Sequence, residues 1–510
     1  MMNFKKRQKT FPVTTVCQAY LKQAERWLVC RQVIEGEDVV KSAGDKYLPM
    51  ATYKCKEEQR ARYEAYKMRT PFIPFTYMAY QVQHAMVFRR TPTIVCSEDF
   101  KKSGSLENVD GKGNSFYQFA SSAFDDLLQT GFGGVLLDMP QTGTNITVYE
   151  AEKKGVRPYL AYYPAESVIN WRFDNSMGIK KLKLVVLKET VDVVTDEFSV
   201  DSETRYRVLT INDSGFYEQR IFTPVYRIDR NGVKELIDFS AQSVEIIIHG
   251  EHIDYIPFVL LPCDQPDKPP LYDLAMMNIH HYQVMADYYN GLHKVTMPTG
   301  YITGYTPSRD AESGKDDEIT LGGDVFITEE NPDARFGMLS YAGEGMEHTK
   351  DGIDKIENLI AGIFMKSIAP DKKTSETAES AYVHRSGENA RLATFARNVS
   401  EDLSWIITHY AEWNGYKERI EIHLNYDYET MSLDPNIINS IANISGQGKF
   451  PLYCVFYILK QQELIDPDMD YDDFIFLIDQ ENLSGNSAQE IYEAFKKRRD
   501  EQDRKLKKAG

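Results

Sequence analysis

The histidines and cysteines of this chain have spacings that fit neither a metal site nor a disulfide framework. His249 and His252 lie three residues apart in a predicted strand and turn, and His280 and His281 are adjacent in a predicted helix. Zinc sites combine such residues with further cysteines, histidines or carboxylates at short spacing, and neither pair has a nearby cysteine or an obvious set of carboxylates. The cysteines are far apart and form no CxxC motif, at positions 17, 30, 55, 96, 263 and 454. We therefore predict packing or surface histidines, reduced cysteines, no metal and no cofactor.

A glycine cluster at 131–134 (GFGG) precedes an apolar run that ends at Asp138. A lone cluster lacks the spacing of a dinucleotide-binding fingerprint, so a tight turn explains it better than phosphate binding. The motifs GxxxxGK[ST], HExxH and GxSxG do not occur. We therefore predict that the chain is not an enzyme, and an unrecognised enzyme using the 131–138 turn and Asp138 stays open as a minor alternative.

The composition is typical of a soluble globular protein of two to four domains or lobes. The chain has 510 residues, 42% of them hydrophobic and 26% charged, with a mean hydropathy of -0.45, and no apolar run is long enough to predict a membrane span. The first residues, MMNFKKRQKTF, are basic but contain no apolar signal region. A net charge of -17 disfavours tight phosphate binding, yet an acidic wall could surround DNA without adhering to it.

The first half of the chain predicts a mixed α+β lobe. Helical patterns cover about 14–34, 53–90 and 114–130, and GFGGVLLD predicts a buried strand. Short alternating runs between Leu182 and Phe258 predict an antiparallel meander, with turns at 213–215 and 231–232. A proline-rich break, PCDQPDKPP, follows at 262–270.

The second half predicts three helices, with an insertion between the first two. The first helix, 271–295, places apolar residues at 3–4 spacing, and the second, Thr349 to Ile368, does the same. Between them, 298–345 is rich in glycine and acidic residues and holds two predicted strands, YITGY and DVFIT. A long helix at 376–413 and a strand, ERIEIHLNY, come next, and 434–510 is predicted helical with a basic end.

Two amphipathic helices that flank an insertion should pair antiparallel and project that insertion outward. Each has one apolar stripe and one polar face, so neighbouring copies could build a helical barrel. A helical hairpin inside an ordinary monomeric core is equally compatible with the pattern. The residues predicted to pack these helices are Leu274, Met277, Val284, Tyr288, Ile353, Ile356, Ile360 and Ile363.

Several segments, in their order along the chain, resemble the portal proteins of tailed double-stranded DNA bacteriophages, in a portal-like branch long catalogued as a domain of unknown function. The resemblance spans about residues 25–415, and none of its segments is a catalytic signature. The segments are IEGEDVVK at 34–41 running to YLP at 47–49, RPYL at 157–160, YPAE at 163–166, INW at 169–171, IPF at 256–258, PLYDL at 270–274 and TSETA at 374–378.

The resemblance implies a portal fold with wing, helical stem, clip and helical crown, assembled as a ring, usually a dodecamer, at one capsid vertex. The expected boundaries are a wing at 1–262 and 379–433, a first stem helix at 263–297 with its proline-rich lead-in, a clip at 298–347, a second stem helix at 348–368, a tunnel loop at 369–378, and a crown with a basic tail at 434–510. The implied partners are the terminase large subunit, head-completion adaptor and tail proteins, major capsid and scaffold proteins, and the double-stranded DNA that passes through the channel; no membrane is involved. The implied location is the virion, after synthesis in the host cytoplasm.

Placed on this sequence, the resemblance predicts two groups of functional residues. Cations and polar residues of the channel and tunnel loop are Lys350, Lys355, Lys366, Lys372, Lys373, Thr374, Ser375 and Glu376. Acidic residues of the clip that would dock partners are Asp316, Asp317, Glu318, Glu329 and Glu330. Solvated helix lysines and a solvated acidic loop remain the alternatives, and a different head–tail connector or structural ring protein is the second candidate function.

Overall fold

The computed structural model describes residues 11–49, 57–140, 156–175, 178, 180–194, 196–228, 234–296, 299–304, 333, 335–339, 343–362, 378–428, 451–461, 465, 469–482 and 496. The chain divides into two compact units, residues 1–426 and 427–510. The first unit mixes helices and antiparallel sheets, so the predicted α+β class is confirmed for it. In the part of the chain that is described, no helix is long and apolar enough to cross a membrane.

The N-terminal part of the first unit is a helical body. Its elements are α1 (Gln18–Glu35), α2 (Glu37–Ser42), α3 (Glu57–Arg69), α4 (Phe75–Phe88), β1 (Thr93–Val95), α5 (Glu98–Lys102) and α6 (Phe116–Thr130). The helical prediction for 53–90 is confirmed for the described residues, which form two helices. Pro71 and Pro74 separate α3 from α4, because proline cannot continue the backbone hydrogen bonds of a helix. The predicted end of α6 is confirmed: Ser115 and Gln118 form a capping box, and Gly131 ends the helix with a left-handed φ of 68°.

Two antiparallel sheets follow the helical body. The three-stranded sheet has the order β11–β2–β3, built from β2 (Gly133–Asp138), β3 (Tyr159–Pro164) and β11 (Phe258–Leu261). The five-stranded sheet is a meander in sequence order, built from β4 (Val168–Asp174), β5 (Lys181–Val194), β6 (Val200–Ile211), β7 (Tyr217–Ile228) and β8 (Lys234–Glu245). The short strands β9 (Ile247–Ile248) and β10 (Glu251–His252) pair with each other. The predicted buried strand and meander are confirmed.

The remaining elements of the first unit are α7 (Tyr272–Thr296), β12 (Thr299–Thr303), β13 (Arg335–Leu339), α8 (Glu344–Ile360), α9 (Ala378–Trp413) and β14 (Glu421–His423), which pairs with β1. The first and third predicted helices match α7 and α9 within two residues. Helix α8 begins five residues before the predicted Thr349. The predicted strand DVFIT lies outside the described residues, and the strand that pairs with β12 is β13.

The second unit contains α10 (Leu452–Gln461) and α11 (Tyr471–Asn482). Phe456 of α10 packs against two rings of α11, with ring centroids 5.5 Å from Tyr471 and 5.2 Å from Phe474. These contacts give the described helices of this unit a shared apolar face, in agreement with the helical prediction for this region.

Stacked aromatic rings join the helical body to both sheets. The buried Trp27 of α1 lies edge-on to Tyr20, with 5.1 Å between ring centroids, and parallel to Phe132 at 6.1 Å. Phe132 in turn contacts Trp171 of β4, at 5.0 Å. Buried aromatic rings contribute large apolar areas, and this row fixes α1 against the start of β2 and against β4.

Two glycines of β2 allow close packing within the three-stranded sheet. A Cβ placed on Gly134 would lie 2.2 Å from the Phe258 ring, and one on Gly133 would lie 2.4 Å from the Tyr162 hydroxyl. Both neighbours sit on paired strands, so they have little room to move. The cluster at 131–134 therefore consists of one helix-ending glycine and two packing glycines, which agrees with the prediction of a turn rather than a phosphate site.

We expect Gly134→Ala to lower the free energy of unfolding by about 1–3 kcal/mol, because the added methyl group overpacks a buried strand pair. Gly352→Ala is the matched control: it lies inside α8 with open space around its Cα, where alanine is favoured in a helix by roughly 0.5–1 kcal/mol. Urea unfolding of both variants measures the difference. Equal stability of Gly134→Ala and the parent protein would contradict the packing role of Gly134.

Candidate functional site

Asp138 lies in a buried polar network rather than at an open reaction centre. Its Oδ2 accepts hydrogen bonds from Arg207 Nη1 at 2.9 Å and from the Tyr159 hydroxyl at 3.0 Å. Its Oδ1 accepts from Gln219 Nε2 at 2.8 Å and from the backbone N–H of Met139 at 2.9 Å. The residue is 4% exposed. The acceptor positions of this buried carboxylate are therefore occupied by groups of the protein itself, which leaves no room for a substrate to contact it in this arrangement.

The charges of this network balance within the sheets. Arg207 Nε donates to Glu189 Oε1 at 2.7 Å, and Arg205 Nε donates to Glu189 Oε2 at 2.7 Å. The Tyr163 hydroxyl donates to Glu189 as well, at 2.7 Å. The neighbouring guanidinium groups and hydroxyl hold the pKa of Glu189 below its usual value, although burial opposes this. Buried ionic groups that are paired and hydrogen-bonded in this way are structural.

The first half of α7 is docked into the helical body. Its apolar face packs among Cys30, Val33 and neighbouring residues through Ala275, Ile279, Tyr282 and Ala286. The buried Asn278 amide accepts from the backbone N–H of Thr76 at 3.0 Å and donates to the Ile73 carbonyl at 2.8 Å. Further along α7, Asp287 accepts from the Tyr66 hydroxyl at 3.1 Å. In the part of the chain that the structure describes, the last of these contacts is at Asp287, so residues 288–296 of α7 extend beyond the helices that hold the rest of it.

Helix α8 runs antiparallel to α7. His281 Nε2 of α7 lies 3.0 Å from Glu357 Oε1 of α8. Toward the other end, Gly291 faces the Met346 side chain, and Val295 faces Gly343 just before α8 begins. As the residue number rises along α7 it falls along α8, as in an antiparallel hairpin. The prediction that these helices pair antiparallel is confirmed for their described residues.

Burial of the histidine side chain determines its protonation. His281 is fully buried and packs edge-on to Phe75, with 5.1 Å between ring centroids. Burial lowers its pKa, although the neighbouring Glu357 carboxylate opposes this shift. At neutral pH the ring is therefore neutral and the contact is a hydrogen bond, which makes His281 a packing histidine as predicted.

Helix α8 has one buried face and one charged face. Ile353 and Ile360 are buried and Ile356 is partly buried, while Lys350 and Lys355 are exposed. The same exposed face includes the acidic residues Glu347, Asp351 and Asp354. It therefore combines isolated cations with a surplus of carboxylates among its described residues.

The other predicted packing residues differ in burial. Leu274 is buried, whereas Met277, Val284 and Tyr288 are partly exposed in the single chain. The residues of α7 that are buried lie on an adjacent stripe that includes small and polar side chains, among them Ala275, Asn278 and Ala286. The pattern of apolar spacing does not identify Asn278. Its polar side chain is buried because it hydrogen-bonds to backbone groups of the helical body, and such a residue is not part of an apolar pattern.

Many predicted site residues lie outside the described part of the chain. They are the second-helix residue Ile363, the channel and loop residues Lys366, Lys372, Lys373, Thr374, Ser375 and Glu376, and the clip residues Asp316, Asp317, Glu318, Glu329 and Glu330. Their roles stay predictions.

The hairpin continues beyond the helices as a two-stranded ribbon, β12 with β13. Tyr301 lies across Gly337, whose added Cβ would be 2.5 Å from the tyrosine ring. Phe336 and Met338 are both exposed and occupy the other face, because they alternate with Gly337 along the strand. The insertion thus leaves the helices on paired strands with apolar side chains exposed.

A cavity of about 610 Å³ lies beside the root of the hairpin. It is bounded by the end of α6, the proline-rich segment, the start of α7 and the middle of α9. Leu274 and Met277 line it with Leu392 and Phe395, and the charged residues at its edge include Lys268 and Arg391. Mixed apolar and oppositely charged lining residues define no ligand class.

Asp402 of α9 is a partly buried carboxyl group that the sequence did not single out. Its Oδ2 has no hydrogen-bond partner. Burial, and then the nearby charges of Asp264 and Glu401, raise its pKa to about 7. The carboxyl group therefore changes charge near neutral pH. Among the described residues, no group of His, Cys, Asp and Glu has the arrangement of a metal site.

Comparison with known proteins gives one family match and two distant structural matches. Residues 270–414, from the start of α7 through α9, match the family described as "Domain of unknown function (DUF4055)". No curated protein matches the chain. A chain in "Virion of native gene transfer agent (GTA) particle" has 14% identity and a TM-score of 0.35, covering 82% of this chain and 96% of that chain. A chain in "Neck of empty GTA particle computed with C6 symmetry" has 15% identity and a TM-score of 0.36, covering 75% and 90%. Scores of this size do not establish a common fold.

We expect Asp402→Asn to stabilise the protein at pH 8, on the order of 2 kcal/mol, and much less at pH 4.5. The folded-state pKa of Asp402, about 7, lies above its usual value of 3.8. The folded protein therefore retains a proton that the unfolded chain loses, and the stability contribution falls as pH rises from about 4 to 7.

Urea unfolding at both pH values measures this difference. Asp213→Asn, in an exposed turn, is the control and should change stability little at either pH. A pH-independent effect of Asp402→Asn would contradict the assignment.

Proposed function

We propose that this chain is a portal protein of a tailed double-stranded DNA bacteriophage. Copies would form a ring, usually a dodecamer, at one capsid vertex, and DNA would enter and leave through its central channel. The observation that carries the proposal is the antiparallel hairpin of α7 and α8. Helix α7 is docked in the helical body. Helix α8 carries a charged, exposed face, and the two helices lead to the ribbon of β12 and β13.

The ordered segments that resemble portal proteins extend over most of the first unit. They include the start of α7 and the segment that leads into α9. The family match at 270–414 covers this hairpin and α9 but names no function. The proposal therefore rests on the order of those segments together with the form of the hairpin.

The proposed channel wall is the charged face of α8. Carboxylates along the wall would repel DNA phosphates, and Lys350 and Lys355 would provide separated cations that guide the strand without holding it. Symmetry would repeat each lysine in every subunit. Loop residues 369–378 would form the constriction, with Lys366, Lys372 and Lys373 as further cations.

The proposed partners follow from the same assignment. The insertion at 298–347 would face the terminase large subunit during packaging, and head-completion adaptor and tail proteins afterwards. Its acidic residues would favour correct docking through charge complementarity. The basic end of the chain would face the capsid interior, where major capsid and scaffold proteins assemble and packaged DNA collects. The protein would thus reside at the portal vertex of the virion, with no catalytic role of its own.

A second candidate is another structural ring protein of the phage neck. It shares the projecting hairpin and the oligomerisation, so the hairpin alone does not distinguish the two. A ring whose stem is narrower than its wing, and which binds the terminase large subunit, would favour the portal protein.

We expect purified protein to form rings with a central hole in averaged negative-stain images, with scaffold protein added if needed, and Leu359→Asp to abolish them. Leu359 is 57% exposed on α8 in the single chain, so a carboxylate there should spare the fold yet place a charge in an apolar contact between subunits. Asn358→Asp, at the neighbouring exposed position, is the control. Intact rings with Leu359→Asp would remove this face from the subunit contact.

We expect the double variant Lys350→Glu, Lys355→Glu to form normal rings but to package at least roughly ten-fold less DNA, because it removes the cations from an already acidic wall. Lys101→Glu, Lys102→Glu on α5 provides the same charge change away from the hairpin. Nuclease-protected DNA per particle measures packaging. Normal packaging by the α8 variant would exclude these lysines as DNA guides.

A further inference from the structure

The second half of α9 presents a stripe of aromatic and acidic side chains. Glu401, Trp405, His409 and Glu412 follow one another at spacings of four, four and three residues, so they lie on one face of the helix. The two glutamates are exposed and His409 is partly exposed. Trp405 is 38% exposed, whereas the other three tryptophans of the chain are buried. This face of α9 therefore offers an accessible indole ring between two carboxylates.

A tyrosine from the segment between β10 and β11 completes the aromatic part of this surface. The Tyr255 ring centroid lies 6.1 Å from that of Trp405 and 4.7 Å from that of His409. The Trp405 and His409 rings are 4.1 Å apart. Trp413 Nε1 donates to the Tyr255 hydroxyl at 3.1 Å, and His409 Nδ1 donates to the Trp405 carbonyl at 2.8 Å. The three rings are thus held in place by contacts within the chain.

The surroundings of these rings carry only negative charge. The two segments that supply them, 249–261 and 398–416, contain no Lys or Arg. Asp254, Glu401 and Glu412 are exposed. In the part of the chain that the structure describes, none of these three carboxylates forms an ion pair. A matching partner therefore supplies the cations.

Two of the carboxylates act directly on the tyrosine. Burial raises the pKa of the Tyr255 hydroxyl to about 12, and the charges of Glu412 and Asp254 add to this shift. The hydrogen bond from Trp413 opposes the shift. The aromatic and acidic groups therefore form one continuous surface rather than two separate ones.

Aromatic rings beside unpaired carboxylates favour an arginine side chain as the bound group. A planar guanidinium group can stack on an aromatic ring and also form paired hydrogen bonds with a carboxylate, whereas an ammonium group is a compact and strongly hydrated charge. Arginine, tryptophan and tyrosine are also the residues that most often dominate the binding energy of protein interfaces. The chemistry of this surface thus selects a basic segment that contains arginine.

The net charge of the chain favours a separate protein over a second copy as the source of that segment. The chain carries a net charge of -17, so a second copy would bring mostly like charge to an acidic surface. A basic partner would instead be attracted, and that attraction would weaken as ionic strength rises. The proposed function assigns no role to this surface, so the inference goes beyond it.

We propose that this surface docks an arginine-bearing segment of a separate, basic protein. We call it the acidic aromatic surface, and its residues are Asp254, Tyr255, Glu401, Trp405, His409 and Glu412. A guanidinium group stacks on the exposed part of the Trp405 ring and pairs with Glu401, one helical turn away. The remaining carboxylates attract further cations of the same segment.

Binding of a labelled peptide of alternating arginine and glycine to the full-length protein tests the proposal, with fluorescence anisotropy as the measurement. We expect Trp405→Ala, and separately the double variant Glu401→Lys, Glu412→Lys, to weaken binding at least roughly ten-fold. The control Asp192→Lys, Asp201→Lys changes exposed residues of β5 and β6. It alters the net charge by the same amount as the double variant and should leave binding unchanged.

A peptide with lysine in place of arginine separates stacking from simple charge attraction. We expect the parent protein to bind it at least roughly three-fold more weakly than the arginine peptide, and Trp405→Ala to bind the two equally. No binding of the arginine peptide, equal binding of both peptides by the parent protein, or unchanged binding by Trp405→Ala would overturn the proposal.

Sedimentation of the parent protein and of Glu401→Lys, Glu412→Lys distinguishes a separate partner from a second copy. We expect both to show the same oligomeric state. A smaller assembly in the variant would assign the surface to a contact between copies and overturn the proposal. Peptide binding does not depend on a central channel or on DNA packaging, so failure here is distinguishable from failure of the portal assignment.

Discussion

The burial of the first half of α7 in the helical body determines the direction in which the insertion leaves the molecule. Asn278 satisfies backbone groups of the segment before α4, and small residues such as Ala275 and Ala286 let the helix approach closely. Because α7 is held in the body as far as Asp287, the rest of this helix has a defined orientation. Helix α8 then follows α7 because its isoleucines need an apolar surface. The positions of β12 and β13 depend on this docking.

Charged residues have different surroundings in the interior and on the surface of the first unit. Inside, the carboxylates of Asp138 and Glu189 are matched by guanidinium and hydroxyl groups, which is the condition under which buried charges are tolerated. Outside, α8 leaves carboxylates and lysines exposed together, and the end of the β5–β6 hairpin is acidic throughout. The interior pairs stabilise the fold, whereas the exposed charges remain accessible to solvent.

The sequence predicted elements best where one physical signal dominated. The meander followed from alternation, and the hairpin followed from two helical stripes around an acidic insertion. The helical composition of 53–90 predicted helix there, and the structure shows how the two prolines divide that region into α3 and α4. On α7, apolar spacing identified Leu274 but missed Asn278, since a buried amide that bonds to a distant backbone leaves no hydrophobic signature. Asp402 was missed for a similar reason, because its shifted pKa arises from burial and from Asp264, which is far from it in sequence.

The sequence by itself determined the α+β class, the order of the elements, the absence of catalytic motifs and the amphipathic character of α8, because each of these depends on residue types within a short window. Only the tertiary structure decided that Asp138 is fully hydrogen-bonded, that α7 is docked in the helical body as far as Asp287 and that β7 pairs with β6 only at residues 206–211. Each of these depends on contacts between residues far apart in the chain. Local patterns specify which surfaces are apolar or charged, but the free energy of the whole fold selects which of them meet.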